Sequence, residues 1–301
     1  MAKVIVTGAN GQVGRELQVL AGHFPEFQFH FTSRFNLDIT DEQAVQHFFN
    51  QHPADYCINA AAYTAVDRAE EEPEAAERTN ALAPRYLAEA CAQQNIPMLH
   101  FSTDYVYHND VNRPLLESDE TCPAGVYART KLAGEQAALE AHSKTMILRT
   151  SWVYSVFGHN FVKTMLRLGR ERDRLTVVYD QIGSPTHARS LARAAIAILQ
   201  QYEQGAVPRE QQHGIYNYSN EGVCSWYDFA LAIFEMSGID CEVAPILSKD
   251  FPTPAARPSY SVMDKSKFKA AFGLNIPHWR DDLKAMMTTL RSHEAAASSR
   301  E

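Results

Sequence analysis

The sequence predicts an α/β protein with a doubly wound parallel sheet, and three observations carry that prediction. Short apolar runs alternate with helical stretches through the first half of the 301 residues. Each β-α-β repeat has room for a strand, a crossover helix and a parallel strand, which implies helices on both faces of the sheet. A glycine-rich turn joins the first strand to the first helix. Together these observations indicate a Rossmann-type fold.

The elements of the first half follow in a regular order. The strands are apolar runs bounded by turn residues, and they are predicted at 3–7, 27–32, 55–60, 98–102 and 145–150. The helices are predicted at 12–21, 41–51, 74–94 and 127–142. Thr40 or Asp41 is a suitable N-cap for the second helix, because its side-chain oxygen can accept a hydrogen bond from the first turn.

The pattern loosens after about residue 155. Helices are predicted at 160–172, 187–202 and 225–237, between loops rich in Gly, Pro and Asp. The prolines Pro245, Pro252, Pro254 and Pro258 mark a non-helical stretch. We therefore expect one domain over residues 1–154 and a smaller C-terminal lobe over 155–301, with some of its segments returning to the sheet. Residues 292–301 are typical of a frayed tail.

Composition and charge exclude several classes of protein. The chain has 28 Lys and Arg against 36 Asp and Glu, and a net charge of −8 is unfavourable for binding nucleic acid or a membrane surface. No apolar run approaches the ~18 residues of a membrane-spanning helix. The five cysteines include no CxxC pair and the twelve histidines no HExxH, so we expect neither a disulfide framework nor a metal site. Met1 leads into an apolar strand without signal-peptide regions, and we expect a cytoplasmic protein.

The glycine-rich turn reads TGANGQVG, with Gly8, Gly11 and Gly14 in a GxxGxxG spacing. Gly8 permits the tight turn from strand to helix, Gly11 lets the backbone approach a pyrophosphate, and Gly14 lets the helix pack closely on the sheet. The N-terminus of the helix adds unpaired N–H groups and the positive end of the helix dipole. The motif therefore predicts a dinucleotide site, with a merely tight turn as the alternative.

The residues after the second strand bear on the choice of dinucleotide. The segment Thr32-Ser33-Arg34 lacks the acidic residue that commonly meets the ribose 2′-hydroxyl of NAD. Arg34 could meet the 2′-phosphate of NADP, which slightly favours NADPH over NADH, but a solvated loop arginine explains it equally well. Asp38 and Ile39 could border the adenine.

A Tyr-x-x-x-Lys pair, Tyr127 and Lys131, lies on one face of a predicted helix. We expect the lysine ammonium to lower the pKa of the phenol, which would make the tyrosine a proton donor or acceptor near neutral pH. An exposed surface pair would explain the spacing alone. Thr103 follows the fourth strand at its carboxyl end, where ligands bind, and its hydroxyl can polarise a carbonyl oxygen. Glycine turn, strand-end Thr and Tyr-x-x-x-Lys together resemble the short-chain dehydrogenases/reductases.

Longer segments narrow this resemblance to one extended family, the dTDP-4-dehydrorhamnose reductases. The segments are NAAAYTAVDRAE at 59–70, STDYVY at 102–107, TKLAGE at 130–135, RTSWVY at 149–154, GHNF and TMLRL within 158–168, and DQIGSPT at 180–186. They resemble the family's segments in amino-acid sequence and in their order along the chain. The similarity runs from residue 3 to about residue 270.

The resemblance implies NADPH- or NADH-dependent reduction of the C4 ketone of dTDP-6-deoxy-L-lyxo-4-hexulose to dTDP-L-rhamnose, for a rhamnose-containing polysaccharide such as an O-antigen. The C-terminal lobe would bind this substrate. The implied catalytic residues are Tyr127 as proton donor, Lys131, Thr103 and Asp104. The implied cofactor-binding residues are Gly8, Asn10, Gly11, Gln12, Val13, Gly14, Ser33, Arg34, Asp38, Ile39, Ala61, Ala62, Tyr63, Ser102, Tyr127 and Lys131. The implied dTDP-sugar contacts are Thr103, Asp104, Trp152, Asn160 and Arg257, the last two through the diphosphate.

Some of these residues have a second interpretation. Trp152 could be a core aromatic and Arg257 a surface arginine. Arg189 stands where some family members carry a glutamate that helps to hold a divalent metal between subunits, and Glu16 alone cannot build that site. We therefore do not expect a metal-bridged dimer, while a monomer and a homodimer both stay open.

Two other functions fit parts of the pattern. A non-catalytic NADP-binding regulatory subunit, like that of methionine adenosyltransferase, resembles the same family. A related nucleotide-sugar 4-ketoreductase would make a different deoxysugar. The intact set of Thr103, Tyr127 and Lys131 favours an enzyme, because a binding module needs no such set.

Overall fold

The computed structural model describes residues 1–108, 111–208 and 212–298 of the chain. Its strands are β1 (Ala2–Thr7), β2 (Phe27–Phe31), β3 (Tyr56–Asn59), β4 (Met98–Thr103), β5 (Thr145–Thr150), β6 (Val153–Tyr154), β7 (Arg174–Val178), β8 (Ile182–Gly183), β9 (Thr186–His187), β10 (Gly214–Asn217), β11 (Cys224–Ser225) and β12 (Glu242–Ile246). Its helices are α1 (Gln12–Ala21), α2 (Glu42–Gln51), α3 (Val66–Ala69), α4 (Pro73–Glu77), α5 (Ala83–Gln94), α6 (Gly125–Ala141), α7 (Phe161–Glu171), α8 (Ala188–Glu203), α9 (Trp226–Ser237), α10 (Ser266–Phe272) and α11 (Trp279–Ser298). A π-helical turn, Arg78–Leu82, joins α4 to α5.

Six of these strands form one parallel sheet, in the order β10-β5-β4-β3-β1-β2. β1 pairs with β2 on one side and with β3 on the other, so the direction of winding reverses between β1 and β3. The strand ends at such a reversal leave a crevice in which ligands bind. The sheet confirms the predicted doubly wound α/β fold.

Both faces of the sheet are buried, as its apolar strand sequences require. Val4 and Val6 of β1 point into one core with Leu17 of α1 and Leu191 of α8, whereas Ile5 points into a second core with residues of α2 and α5. This alternation follows from the two-residue repeat of a strand. The two cores hold the carboxyl ends of the strands, and the residues that follow them, in fixed positions.

A further core is built mostly from the C-terminal half of the chain. α7, α9 and α11 bring Leu166, Phe229, Ile233 and Leu283 together, and β7 pairs with β12 beside them. Pro245 is accommodated within β12 because the two strands form their own small sheet, in which each strand has an unpaired edge. The division of the chain at residue 154 stays a prediction.

The helix predicted over residues 74–94 is split into α4 and α5. Pro84, at the start of α5, has no N–H, and its ring would clash with the carbonyl of Asn80 four residues earlier in a regular α-helix. The π-helical turn widens the helix by one residue there and relieves that clash. Asn80, in this turn, holds the segment after β3 in place, because its side-chain oxygen accepts a hydrogen bond from the Tyr63 N–H at 2.8 Å.

The C-terminal residues differ from the predicted frayed tail. Residues 292–298 continue α11, and 299–301 lie outside the described residues. Trp279, Leu283 and Met286 are buried at helical spacing, which anchors α11 on the third core. Among the described residues, no helix is long and apolar enough to cross a membrane.

Candidate active site

The glycine turn packs directly against the end of β3. Gly8 has a positive φ of 72°, and a Cβ there would lie 2.5 Å from the backbone of Ala60. A Cβ on Gly14 would lie 2.2 Å from the carbonyl oxygen of Gly8. Only glycine fits either position, so α1 begins close to the sheet. No side chain caps that helix start, which leaves its N–H groups directed at the crevice.

A groove of about 340 Å³ lies between the ends of β1, β2 and β3. It is lined by ten residues predicted for the cofactor, namely Gly8, Asn10, Gly11, Ser33, Arg34, Asp38, Ile39, Ala61, Ala62 and Tyr63. Its other lining residues, which sequence reasoning missed, are Thr7, Thr32, Leu37, Thr40, Ala60 and Thr79. Most of these flank predicted residues directly, so widening the segments would have found them. Gln12, Val13, Gly14, Ser102, Tyr127 and Lys131 lie outside this groove.

Arg34 and Asp38 stand at the mouth of the groove. The Arg34 side chain is 86% exposed, and its Nε lies 3.7 Å from an Asp38 oxygen. Hydrogen bonds from Thr40 fix the Asp38 carboxylate and lower its pKa, with smaller contributions from Arg34 and Arg78. An exposed guanidinium held loosely by one carboxylate can still turn towards an anionic ligand.

Tyr127, in the first turn of α6, lies beside two residues that follow β4. Its ring meets the ring of Tyr105 edge-on at 5.4 Å. Its pKa is raised to about 12 because the phenol is removed from water; a hydrogen bond with Thr103 opposes this rise, and the Asp104 carboxylate adds to it. The predicted lowering of this pKa by Lys131 is wrong for this structure. The Lys131 Nζ instead donates to the Phe101 carbonyl at 2.7 Å.

Asp104 is a buried carboxyl group at the centre of this cluster. Burial raises its pKa to about 6, although hydrogen bonds with Ser261 and Thr103 oppose the rise. Thr103 donates to its Oδ1 at 3.1 Å. Its Oδ2, like the Ser102 hydroxyl, is buried without a hydrogen-bond partner among the described residues. A buried polar atom without a hydrogen-bond partner costs free energy of folding. Its presence therefore points to a role in binding a ligand or in a reaction.

Arg257 reaches the same cluster from the C-terminal half of the chain. Its Nη1 and Nη2 donate to the two oxygens of Asp67 at 3.0 and 2.6 Å, and Nη1 also donates to the Ala255 carbonyl. Arg257 lies close enough to Tyr105 to lower the pKa of that phenol, against a larger rise caused by burial. The guanidinium also lowers the pKa of Asp67. It is linked to Tyr127 through the ring of Tyr105, which contacts both residues.

Trp152 has a backbone conformation that is rare outside glycine, with a φ of 48°. Its indole stacks on Trp226 at 3.5 Å and covers Gly183, where a Cβ would meet it at 2.7 Å. The neighbour of Gly183, Ile182, accepts a backbone hydrogen bond from Ser261, the partner of Asp104. This chain of contacts links Trp152 to the Tyr127 cluster.

Asn160 lies elsewhere, between the glycine turn and α7. Its Oδ1 caps α7 through the Lys163 N–H, and its Nδ2 donates to the Gln12 side chain at 2.9 Å and to the Ser155 carbonyl. These protein contacts occupy the amide. A diphosphate role for Asn160 stays a prediction, and the described contacts do not bring it to Arg257.

Glu16, on α1, is fully buried and already paired. Arg189 of α8 donates to it at 2.8 Å and the Ser155 hydroxyl at 2.6 Å, with the His187 ring 3.8 Å away. Between them, Arg189 and Ser155 already use both carboxylate oxygens of Glu16. Across the described ranges, no group of three or more His, Cys, Asp or Glu side chains is arranged to hold a metal ion.

Sequence reasoning missed three residues of the Tyr127 cluster. Tyr105 and Asp67 lie inside motifs that carry the resemblance, so including every polar or aromatic residue of those motifs would have found them. Ser261 follows the Arg257-Pro258 segment and carries no local signal. Its position depends on the backbone bond to Ile182, which only the fold reveals.

The glycine turn lies where the winding of a parallel doubly wound sheet reverses, and α6 carries the Tyr-x-x-x-Lys pair to the ends of the same strands, which defines a dinucleotide-dependent oxidoreductase of the short-chain type. Within that class, the chain belongs to the family described as RmlD substrate binding domain, whose model matches residues 2–292.

Individual relatives are similar over almost their whole length. The chain is 40% identical over 290 residues to a dTDP-4-dehydrorhamnose reductase from Aggregatibacter actinomycetemcomitans, covering 94% of this chain and 98% of the relative. A crystal structure of a dTDP-4-dehydrorhamnose reductase from Clostridium acetobutylicum superposes with a TM-score of 0.90 at 39% identity, covering 96% of this chain and 99% of that chain. The reductase from Bacillus anthracis, solved in complex with NADP, gives a TM-score of 0.88 at 37% identity, covering 96% and 99%.

Proposed function

We propose that this protein uses NADPH to reduce the C4 ketone of dTDP-4-dehydrorhamnose, the 6-deoxy-L-lyxo-4-hexulose, to dTDP-L-rhamnose. The observation that carries the proposal is the cluster of Thr103, Asp104 and Tyr127 at the end of β4. A protonated phenol and a hydroxyl meet there beside a buried carboxyl oxygen that has no partner among the described residues. The relatives named above are reductases of this substrate.

The residues of the groove fit a dinucleotide. The glycine positions leave space that a Cβ would fill, and the uncapped start of α1 suits a pyrophosphate. Asp38 and Ile39 line the groove, and Arg34 stands beside them, where a 2′-phosphate could be met. When bound, the nicotinamide cofactor supplies the hydride for the ketone carbon. The relative solved with NADP supports NADPH as that cofactor, and NADH is the second candidate.

Tyr127 supplies the proton. With a pKa of about 12, its phenol is protonated at neutral pH, which is the state required to donate to the oxygen of the ketone as it becomes an alkoxide. The Thr103 hydroxyl lies beside the phenol; its single proton, which is donated to Asp104 in this structure, would turn to the same oxygen and stabilise the charge there. The unpartnered Oδ2 of Asp104 is available to accept a hydrogen bond from a sugar hydroxyl.

Arg257 keeps a pair of donors for the diphosphate. A guanidinium has five N–H donors, and Asp67 and Ala255 use three of those of Arg257. The remaining two, on Nε and Nη2, have no partner among the described residues and lie on one edge of the group. That edge is the fork with which arginine binds phosphate oxygens. Asp67 therefore orients Arg257 without occupying this edge.

The alternatives are less well supported. A regulatory subunit needs no orphaned carboxyl oxygen beside a tyrosine, and the relatives above are named as enzymes. We also propose a cytoplasmic setting, which fits five cysteines that are all free thiols. The product would serve a rhamnose-containing polysaccharide.

The test is oxidation of NADPH with enzymatically generated dTDP-4-dehydrorhamnose as substrate. We expect turnover by the wild-type protein and formation of dTDP-L-rhamnose. The matched control is Tyr105→Phe, which keeps the ring against Tyr127 and should retain most activity. Absence of turnover together with failure of dTDP to bind the NADPH-loaded protein would overturn the proposal.

A further inference from the structure

The short helix α3 and the residue after it carry two carboxylates that reach different parts of the active site. Asp67 lies within α3 and pairs with Arg257. Glu70 follows the last residue of α3, three positions further on, so the two side chains lie on the same face of this turn. Asp67 has been assigned the orientation of Arg257, whereas Glu70 has had no role so far.

Glu70 makes its contact at the start of α6. The N-cap of that helix is Ala124, which has no side-chain acceptor for the N–H groups of the first turn. These groups have no partner within the helix. The Oε1 of Glu70 accepts a hydrogen bond from the Val126 N–H at 2.7 Å. The carboxylate therefore caps α6 from a distant segment, and its negative charge suits the positive end of the helix dipole.

Gly125, the first residue of α6, leaves the space in which this carboxylate lies. Its φ of 83° falls in the left-handed region that favours glycine. A Cβ at this position would lie 2.6 Å from the Glu70 Oε1. Any other residue would push the carboxylate away from the Val126 N–H, so the glycine and the glutamate fit one contact.

The residue after Val126 is Tyr127, the proton donor. Its ring meets Tyr105 edge-on, and its phenol makes a hydrogen bond with Thr103. Both of these partners belong to the end of β4 and the residues after it, whereas the backbone of Tyr127 belongs to the first turn of α6. The ends of helices fray readily. The placement of the phenol against Thr103 therefore depends on what holds that first turn.

We infer that Glu70 is a positioning residue, which fixes the first turn of α6 and thereby holds the Tyr127 phenol in place for proton transfer. The catalytic meaning of this inference rests on the proposed function. Asp67 and Glu70 then have separate tasks on a common support: Asp67 orients the arginine assigned to the diphosphate, and Glu70 orients the proton donor.

The kinetic test is Glu70→Ala in the full-length protein. We expect kcat to fall about 10- to 100-fold, because a small displacement of a catalytic group has an effect of this size. KM for the dTDP-sugar and Kd for NADPH should stay unchanged, since Asp67 still pairs with Arg257 and Glu70 does not line the cofactor groove. Glu70→Gln should retain most of the wild-type kcat, because its amide oxygen can still accept from the Val126 N–H.

Asp41 provides the matched control. Its Oδ1 caps α2 by accepting from the Ala44 N–H at 3.1 Å, and α2 carries no member of the Tyr127 cluster. Asp41→Ala removes a helix cap of the same kind, so it should lower Tm about as much as Glu70→Ala does. Its kcat should stay at the wild-type value, which separates positioning from a general loss of stability.

A second measurement needs no substrate. In the ¹⁵N-labelled protein, we expect hydrogen exchange of the Val126 amide to become roughly three- to tenfold faster in Glu70→Ala, the equivalent of one ordinary hydrogen bond. The same amide should keep its wild-type rate in Asp41→Ala.

A wild-type kcat in a folded Glu70→Ala variant would overturn the inference, as would an equal loss of kcat in Glu70→Gln or in Asp41→Ala. If Glu70→Ala does not fold, the wild-type protein still decides, because a Val126 amide that exchanges as fast as exposed loop amides would show that no cap is present. Failure of the proposed function would appear separately, as absence of turnover by a wild-type protein whose Val126 amide is protected.

Discussion

Replacement of Arg257 by alanine should weaken the recognition of the dTDP-sugar and little else. The variant loses the unused Nε–Nη2 edge that we assign to the diphosphate, together with the pair to Asp67. A hydrogen bond from a charged donor contributes about 1.5–3 kcal/mol, which corresponds to one to two decades in KM. The ion pair is partly exposed on both sides, so its loss should cost no more than about 1 kcal/mol of folding stability.

Asp67→Asn separates orientation from direct binding. The asparagine can still accept one hydrogen bond from Arg257, so we expect KM for the dTDP-sugar to rise only about three- to tenfold, with kcat nearly unchanged. The affinity for NADPH should stay the same in both variants, because neither Asp67 nor Arg257 lines the groove at the ends of β1, β2 and β3.

The assay is steady-state kinetics with dTDP-4-dehydrorhamnose, supported by calorimetric titration of dTDP and by thermal unfolding. Arg257→Lys is the informative control, because it keeps the charge but not the two-donor edge. Our reasoning would be refuted by a KM in Arg257→Ala equal to that of the wild type. A lower KM in Asp67→Asn would show that the carboxylate competes with the substrate instead of orienting the arginine.

Four further outcomes are expected. Tyr127→Phe should lower kcat by about 10²–10⁴ while NADPH binding is retained, as single-turnover and fluorescence titrations can determine. Gly11→Val should weaken NADH and NADPH alike, because the side chain would stand where the pyrophosphate approaches; since a Cβ there already makes a tight contact of 3.3 Å with the Gly8 carbonyl oxygen, we also expect a modest loss of thermal stability. Arg34→Ala should raise the Kd for NADPH and leave that for NADH unchanged; an equal loss for both argues against a 2′-phosphate contact. Since Asp104 has a pKa of about 6 and is charged above it, Asp104→Asn should remove an inflection near pH 6 from the kcat profile.

The local signals of the sequence located the site because they coincide with the ends of strands. An apolar run followed by glycines fixes both β1 and the start of α1, so the turn could be assigned before any fold was known. The same holds for Tyr127 and Lys131, which are four residues apart on one helix. These features depend on the geometry of residues that are close together in the chain, and the spacing of those residues can be read from the sequence.

Contacts between distant segments could not be predicted in this way. Asp67 and Arg257 are 190 residues apart, and nothing local indicates that they meet. β7 and β12 are short and pair with each other from distant parts of the chain, so no local pattern revealed either strand. The raised pKa of Tyr127 also escaped sequence reasoning, because it depends on how far the fold removes the phenol from water and on the Asp104 carboxylate beside it.

The return of β10 to the edge of the parallel sheet limits how the chain can be divided. A fragment that ended at residue 154 would leave β5 as an exposed apolar edge and would uncover the surface that α8 occupies against α1. Such a fragment would be prone to pair with other strands and aggregate. Exchange of the C-terminal half between relatives, as in a chimera designed to change the sugar, must therefore carry α8 and β10 with the nucleotide-binding half.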